Sequence, residues 1–126
     1  MKTKREIESA ISAAVSRFEQ VYMGRDPKEV RAFLVDDLVL IRLKCVLTAA
    51  ERHLVKTLPP EKVRDLLKDM RRHLLETGRP TLEAMIKEIV GVKVVSLHHD
   101  ISTLTGEKVV LFTLASWPII RKKKKK

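Results

Sequence analysis

The stretch Val92–Leu114, VKVVSLHHDISTLTGEKVVLFTL, contains two apolar runs separated by a polar connection. The runs Val92–Leu97 and Val109–Leu114 are rich in β-branched and aromatic residues, which favour strands. The connection holds residue types that turns prefer, namely Asp100, Ser102, Thr103, Thr105 and Gly106. The stretch therefore predicts a β-hairpin, and it carries no catalytic signature.

Apolar residues at helical spacing mark the N-terminal segment as an amphipathic helix. They recur from Ile7 to Tyr22 with charged and small residues between them, and Gly24 and Pro27 then stop the pattern. Further along, Thr48 and Glu51 match a capping box, which predicts a short helix over about 49–57.

Two more helices are predicted in the second half of the chain. Glu61–Thr77 has one apolar and one charged face, and Thr81–Val90 repeats that pattern. Gly78 and Pro80 lie between them and predict a break, because glycine favours helix ends and proline lacks the N–H of the helical ladder. Gly91 is expected to end the second of these helices.

A third strand is predicted over Val35–Leu47. Its residues alternate between an apolar face and a second face that becomes increasingly polar towards Arg42 and Lys44. The predicted fold class is therefore α+β, with a small antiparallel sheet of about three strands packed against amphipathic helices in the order α-β-α-α-α-β-β. Such a sheet leaves a face or an edge to cover, so we expect a homodimer.

Length and charge indicate one domain followed by a basic tail. The chain has 126 residues, 44% of them hydrophobic, which suits a single domain over residues 1–120. Its net charge is +10, of which Arg121–Lys126 contributes six, leaving +4 for the rest. Because like charges repel each other, we expect residues 121–126 to be a disordered, solvated tail.

The lone cysteine and the apolar segments bear on the cellular location. Cys45 has no partner for an intramolecular disulfide, which favours a reducing cytoplasm. The charged, amphipathic N-terminus does not look like a signal peptide. The apolar runs are also much shorter than the ~20 residues of a membrane helix, so we expect no integral membrane segment.

The residues with catalytic or metal-binding chemistry do not form a recognisable site. His98, His99 and Asp100 are adjacent, but neighbouring strand residues point to opposite faces and cannot easily share one metal. Neither a zinc motif, a nucleophile elbow nor a glycine-rich phosphate loop is present. We therefore predict a protein that is not an enzyme, with no catalytic, cofactor-binding or metal-binding residues.

Polar residues on the sheet instead predict an interaction surface. Its candidates combine the basic face of the third strand with the hairpin connection: Arg42, Lys44, Asp100, Ser102, Thr103, Thr105 and Gly106. Arg71, Arg72 and His73 form a basic patch on a predicted helix. These basic side chains are also explained by solubility and by protection of a strand edge. Nucleic acid is therefore a possible partner only through weak contacts.

Two long segments resemble a bacterial family formerly known as a domain of unknown function and now named MpsC, for a sodium-translocating membrane-potential-generating system. They are residues 22–54, YMGRDPKEVRAFLVDDLVLIRLKCVLTAAERHL, and residues 91–114. The resemblance is carried by Gly24-Arg25 with Pro27, by Ile41–Lys44 and Leu47-Thr48 with Glu51, and by Asp100, Ser102-Thr103 and Thr105–Glu107. Asp26 and Cys45 stand where the family commonly has glycine.

The resemblance implies a soluble accessory protein, with the transport chemistry carried by membrane partners. It leaves two main hypotheses. In the first, the chain is a non-catalytic, dimeric interaction protein that binds a membrane-protein or signalling partner through the polar side of its sheet and its basic tail. In the second, it is a nucleic-acid-associated or regulatory protein that uses Arg42, Lys44, Arg71, Arg72 and residues 122–126. An enzyme is the least supported class, because no nucleophile is placed beside a base.

Overall fold

A four-stranded antiparallel sheet organises the chain, with helices packed on one of its faces. The structure is a computed structural model that describes residues 2–21, 29–44, 49–102 and 105–120. Its elements are α1 (Lys4–Val21), β1 (Glu29–Val35), β2 (Leu38–Lys44), α2 (Ala49–Thr57), α3 (Pro60–Val90), β3 (Val94–Ile101) and β4 (Lys108–Leu114). The strand order β1-β2-β4-β3 places the two hairpins side by side. The α+β class is thus confirmed.

The prediction of about three strands in the order α-β-α-α-α-β-β was short by one strand. Residues Glu29–Val35 form a strand that pairs with Leu38–Lys44 across a turn at Asp36-Asp37. Asp36 adopts a positive φ of 57°, which aspartate tolerates better than most residues. Because neither glycine nor proline marks this turn, the alternating pattern of residues 35–47 predicts a single strand across it. Residues 45–47 of the predicted strand lie outside the described residues.

The predicted break at Gly78–Pro80 was also wrong, because α3 is one helix of 31 residues. Pro80 removes one helical hydrogen bond. Around it, Arg79 Nε donates to Glu83 Oε2 at 2.8 Å, while Leu75 and Leu82 are both buried in the core. Packing on both sides of the proline therefore holds the helix together. The predicted end at Gly91 is confirmed, with φ of 79° and its N–H donating to Lys87 O at 2.8 Å.

The hydrophobic core lies between the sheet and the helices α1 and α3. Side chains at every second position of β1, β2 and β4 face this core, as the alternation of buried residues shows. Helix α1 contributes Ile7, Ile11, Val15 and Phe18, the apolar stripe that its spacing predicts. Among the described residues, no helix has the length and apolar character needed to cross a membrane. Residues 121–126, the predicted tail, are outside the described part of the chain.

Candidate interaction surface

The sheet face opposite α1 and α3, called the open face below, presents side chains from all four strands. Pairing and burial place the following residues on it: Glu29, Arg31, Phe33, Val35, Leu38, Leu40, Arg42, Lys44, Ser96, His98, Asp100, Val109, Leu111 and Thr113. Among the described residues, no helix packs against this face. It therefore brings together Arg42, Lys44 and Asp100 of the predicted surface.

The centre of the open face is apolar. Phe33 pairs with Leu40, and Leu40 with Leu111, which aligns three large side chains in one row across three strands. Phe33 is 38% exposed, Leu40 is 36% exposed and neighbouring Val35 is 52% exposed. A contiguous apolar patch of this kind on a sheet is typical of a surface that binds another protein.

The basic residues of the open face are held in ion pairs. The Arg42 guanidinium contacts Glu107 Oε2 at 2.7 Å through Nη2 and 2.8 Å through Nε. Lys44 Nζ lies 3.5 Å from Glu29 Oε2 on the neighbouring strand. Arg31 stacks over the Phe33 ring at 5.8 Å from its centroid. The predicted pair Arg42 and Lys44 is therefore exposed but largely neutralised within the sheet.

Asp100 lies at the β3 edge of the same face. Its Oδ1 accepts hydrogen bonds from Lys68 Nζ at 3.0 Å and from the Ile101 N–H at 2.9 Å. The hydrogen bond from Lys68 is the main reason why the pKa of Asp100 is lowered from its ordinary value, and the Ile101 N–H adds to the effect. Asp100 is thus a stable negative charge at this edge.

The hydroxyls of the hairpin connection serve the turn. Ser102 O accepts from the Gly106 N–H at 2.8 Å, and Ser102 Oγ accepts from the Thr105 N–H at 3.3 Å. Thr105 Oγ1 accepts from the Glu107 N–H at 3.2 Å. Thr103 lies outside the described residues. Ser102, Thr105 and Gly106 therefore shape the connection and position Glu107 to pair with Arg42.

Replacing Gly106 by valine is expected to destabilise this turn. Gly106 has φ of 76°, where a β-branched residue is strained by about 1–2 kcal/mol. Urea denaturation should show a loss of that size in the free energy of unfolding. Asparagine at the same position is the control, because it tolerates this conformation better. Equal stability of the valine variant and the unaltered chain would contradict the turn's need for glycine.

Two buried ion pairs were not predicted. Lys108 Nζ donates to Glu19 Oε1 at 2.8 Å, and Arg71 Nη2 donates to Glu51 Oε1 at 2.7 Å. Each of these four side chains is 5% exposed or less. Arg71 is therefore buried and does not join Arg72 and His73 in a basic surface patch.

The sequence does contain a signal for one of these pairs. Glu19 falls four residues after Val15 in the apolar stripe of α1, and Lys108 alternates with the buried residues Val110 and Phe112 of β4. A negative and a positive residue therefore each occupy a position that the pattern assigns to the core. They predict a buried ion pair only once the packing of α1 against the sheet is known.

The two histidines of the His98-His99 sequence lie on opposite faces. His98 is exposed on the open face, whereas His99 pairs with Val110 on the helix-covered side and is half-buried. Desolvation lowers the pKa of His99, helped by the positive charges of Lys108 and Arg72. Among the described residues, no three histidine, cysteine or carboxylate side chains gather as a metal site.

Comparison with known proteins supplies the family. The family described as "Na+-translocating membrane potential-generating system (MpsC)" matches residues 3–116. The chain belongs to the MpsC family. This MpsC-family chain is also 35% identical over 115 residues to the uncharacterized protein YbcI of Bacillus subtilis (strain 168), covering 91% of the chain and 90% of YbcI. No solved structure matches it.

Proposed function

We propose that this MpsC-family chain is a non-catalytic accessory protein that acts through protein contacts, and that its open face is occupied by a second copy of the chain. The observation that carries the proposal is the apolar row Phe33–Leu40–Leu111 across that face, in which Phe33 is 38% exposed, Leu40 is 36% exposed and Leu111 is half-buried. The family's description suggests that the dimer serves a membrane-potential-generating system. A cytoplasmic location stays a prediction.

The open face is complementary to itself about a two-fold axis parallel to the strands. That rotation places the β1 edge of one protomer over the β3 edge of its partner. Phe33, Leu40, Leu111 and His98 form one row in strand order. Leu40 then meets Leu111 of the partner subunit, while Phe33 meets the partner's His98. The apolar row is buried at the dimer centre.

Charge complementarity supports the same arrangement. Arg31, Arg42, Val109 and Asp100 form the neighbouring row, with arginine at one end and aspartate at the other. The rotation places Arg31 opposite Asp100 of the partner subunit at both ends of the interface. Packed sheets cross at about 30°, which leaves the central leucines in contact and brings the longer charged side chains together at the rim.

The sheet edges are less suited to pairing than the open face. At the β1 edge, the Leu34 N–H donates to Glu8 Oε2 of α1 at 2.8 Å. At the β3 edge, the register shifts between Val94 and Ser96, and such irregularities hinder further strand pairing. These features favour a dimer formed by stacked faces.

We favour this role over a nucleic-acid-associated one because of how the basic residues are placed. Arg42 and Lys44 contact carboxylates on the sheet, and Arg71 is buried against Glu51. Neutralised and buried cations release few counterions from a nucleic-acid backbone, and counterion release supplies most of nonspecific affinity.

Replacing Leu40 by lysine is expected to convert the dimer into a monomer. A charge at the centre of the stacked faces would be buried without a partner, which opposes association. Size-exclusion chromatography with light scattering should give a dimer for the unaltered chain and a monomer for the variant at micromolar concentration. Leu66→Lys is the matched control, because Leu66 is 53% exposed on α3, away from the sheet.

A double exchange of charged residues tests the proposed orientation. Arg31→Asp alone should weaken the dimer, because it brings a second negative charge close to Asp100 across the rim. Arg31→Asp with Asp100→Asn should restore it, because this removes the repulsion without placing a new cation beside Lys68. An unaltered chain that is monomeric, or a Leu40→Lys variant that stays dimeric, would refute the proposed dimer. A dimer that the double exchange fails to restore would refute the two-fold axis.

A further inference from the structure

A small cavity lies on the helix-covered side of the sheet, between α3 and the β3–β4 hairpin. Its volume is about 80 Å³. One bound water needs only about 10–15 Å³ of such space. The cavity is thus large enough for several waters or a small ion, and much smaller than the roughly 300–1,000 Å³ of pockets for larger ligands. Its polar lining is Lys68, Arg71, Arg72, His99, Asp100 and Lys108.

The lining is strongly biased towards positive charge. Lys68, Arg71 and Arg72 are three and four residues apart on α3, so they share one helical face. Lys108 comes from the neighbouring strand β4, and both Arg71 and Lys108 are only 2% exposed. The single carboxylate of the lining, Asp100, is 71% exposed in its side chain and already bonded to Lys68. Arg71 is paired with Glu51 and Lys108 with Glu19, so the four cations around the cavity face three carboxylates and leave an excess of one positive charge.

His99 also lines this cavity, from the helix-covered side of β3. Its ring lies on the helix-covered side of β3, facing Lys108 of β4, Arg72 and Glu76 of α3, and neighbouring Asp100. Burial first, and then the charges of Lys108 and Arg72, lower its pKa, against the opposing effects of Glu76 and Asp100. A neutral imidazole N–H can donate a hydrogen bond to an anion, and a protonated ring attracts it more strongly.

We infer that this cavity binds a small free oxyanion of the phosphate or sulfate class, held by Arg72, Lys68 and His99 beside the paired side chains of Arg71 and Lys108. Arginine suits this role because its planar guanidinium presents paired donors to oxyanions. Asp100 is the residue that this cavity shares with the β3 edge of the open face, whereas Arg72 and His99, which the test below replaces, lie outside the proposed dimer contact.

Sulfate is the probe that tests the site, because its charge is constant between pH 5.5 and 7.5. Titration at constant ionic strength, with chloride replaced by sulfate, should shift the NMR signals of His99 and Arg72. Arg72→Gln should raise the dissociation constant about tenfold, which is the loss of affinity expected when one charge-assisted hydrogen bond is removed. Arg64→Gln is the matched control and should leave it unchanged, because Arg64 is an exposed arginine of α3 that pairs with Asp65 outside the cavity.

The pH dependence has a defined sign. Protonation of His99 adds a positive charge to the cavity, so sulfate should bind more tightly at pH 5.5 than at pH 7.5. His99→Gln should abolish this difference while retaining weak binding. In the unaltered chain, affinity that does not rise on acidification would overturn the role of His99.

Three results would overturn the site as a whole. One is the absence of shifts at His99 and Arg72 in ~50 mM sulfate. The second is an equal loss of affinity in the Arg72→Gln and Arg64→Gln variants, which would indicate nonspecific attraction. The third is binding to anionic phosphatidylglycerol vesicles that depends on Arg72 without any sulfate effect, which would assign the cations to a lipid surface.

Discussion

Replacing Glu19 by alanine is expected to lower the free energy of unfolding by about 3–5 kcal/mol, the range for breaking a buried ion pair. Glu19 and Lys108 are each 2% exposed, and their side chains meet at 2.8 Å between α1 and β4. The variant leaves the Lys108 ammonium without this carboxylate in the low-dielectric region between helix and sheet. Chemical denaturation followed by circular dichroism measures the change.

A double replacement separates the charge effect from the loss of packing. Glu19→Leu with Lys108→Met removes both charges and keeps similar volumes, so its stability should be close to that of the unaltered chain or above it. Asp65→Ala is the control for an exposed pair and should cost less than about 1 kcal/mol. A loss below 1 kcal/mol for Glu19→Ala would show that water relieves the uncompensated charge.

Replacing Glu51 by alanine is expected to release α2 from α3 while the sheet stays folded. Glu51 contacts Arg71 at 2.7 Å, and both side chains are nearly inaccessible. Helix α2 has only 9 residues and packs mainly on α3, and a helix this short is unstable alone. Loss of about 3 kcal/mol at this contact should therefore unfold α2 locally.

Hydrogen exchange followed by mass spectrometry distinguishes this local effect from a global one. Protection of α2 amides should fall about 100-fold, while protection in β2 and β4 should stay unchanged. Arg52→Ala is the matched control, since Arg52 is an exposed neighbour of Glu51 in the same helix. Equal loss of protection in α2 and in the sheet would mean that this ion pair supports the whole fold.

Elements with a strong local pattern were predicted well. The C-terminal hairpin, the amphipathic α1 and the end of α3 at Gly91 all follow from periodicity or from a glycine with positive φ. The errors occurred where a local signal was weak or was outweighed by packing. Asp36 makes a turn without glycine or proline, and the core contacts of Leu75 and Leu82 keep α3 continuous through Pro80.

The candidate surface likewise has features that local sequence patterns predict and features that they do not. Alternation along a strand predicted that Arg42 and Lys44 share a face away from the core, and the turn chemistry of the hairpin predicted the role of Ser102 and Gly106. The carboxylate partner of Arg42 is Glu107, which is 65 residues away in sequence. No local pattern identifies a partner at that separation.

By itself, the sequence determined the family, the α+β class and the identity of most helices and strands, because these depend on residue types and on spacing over a few positions. Only the tertiary structure decided that β1 completes a four-stranded sheet with one open face, and that Arg71 and Lys108 are buried beside a cavity. The physical reason is that burial depends on which elements pack together. A sequence pattern places a charged residue in solvent. Only the folded chain shows that a carboxylate from a distant segment lies within hydrogen-bonding distance of it.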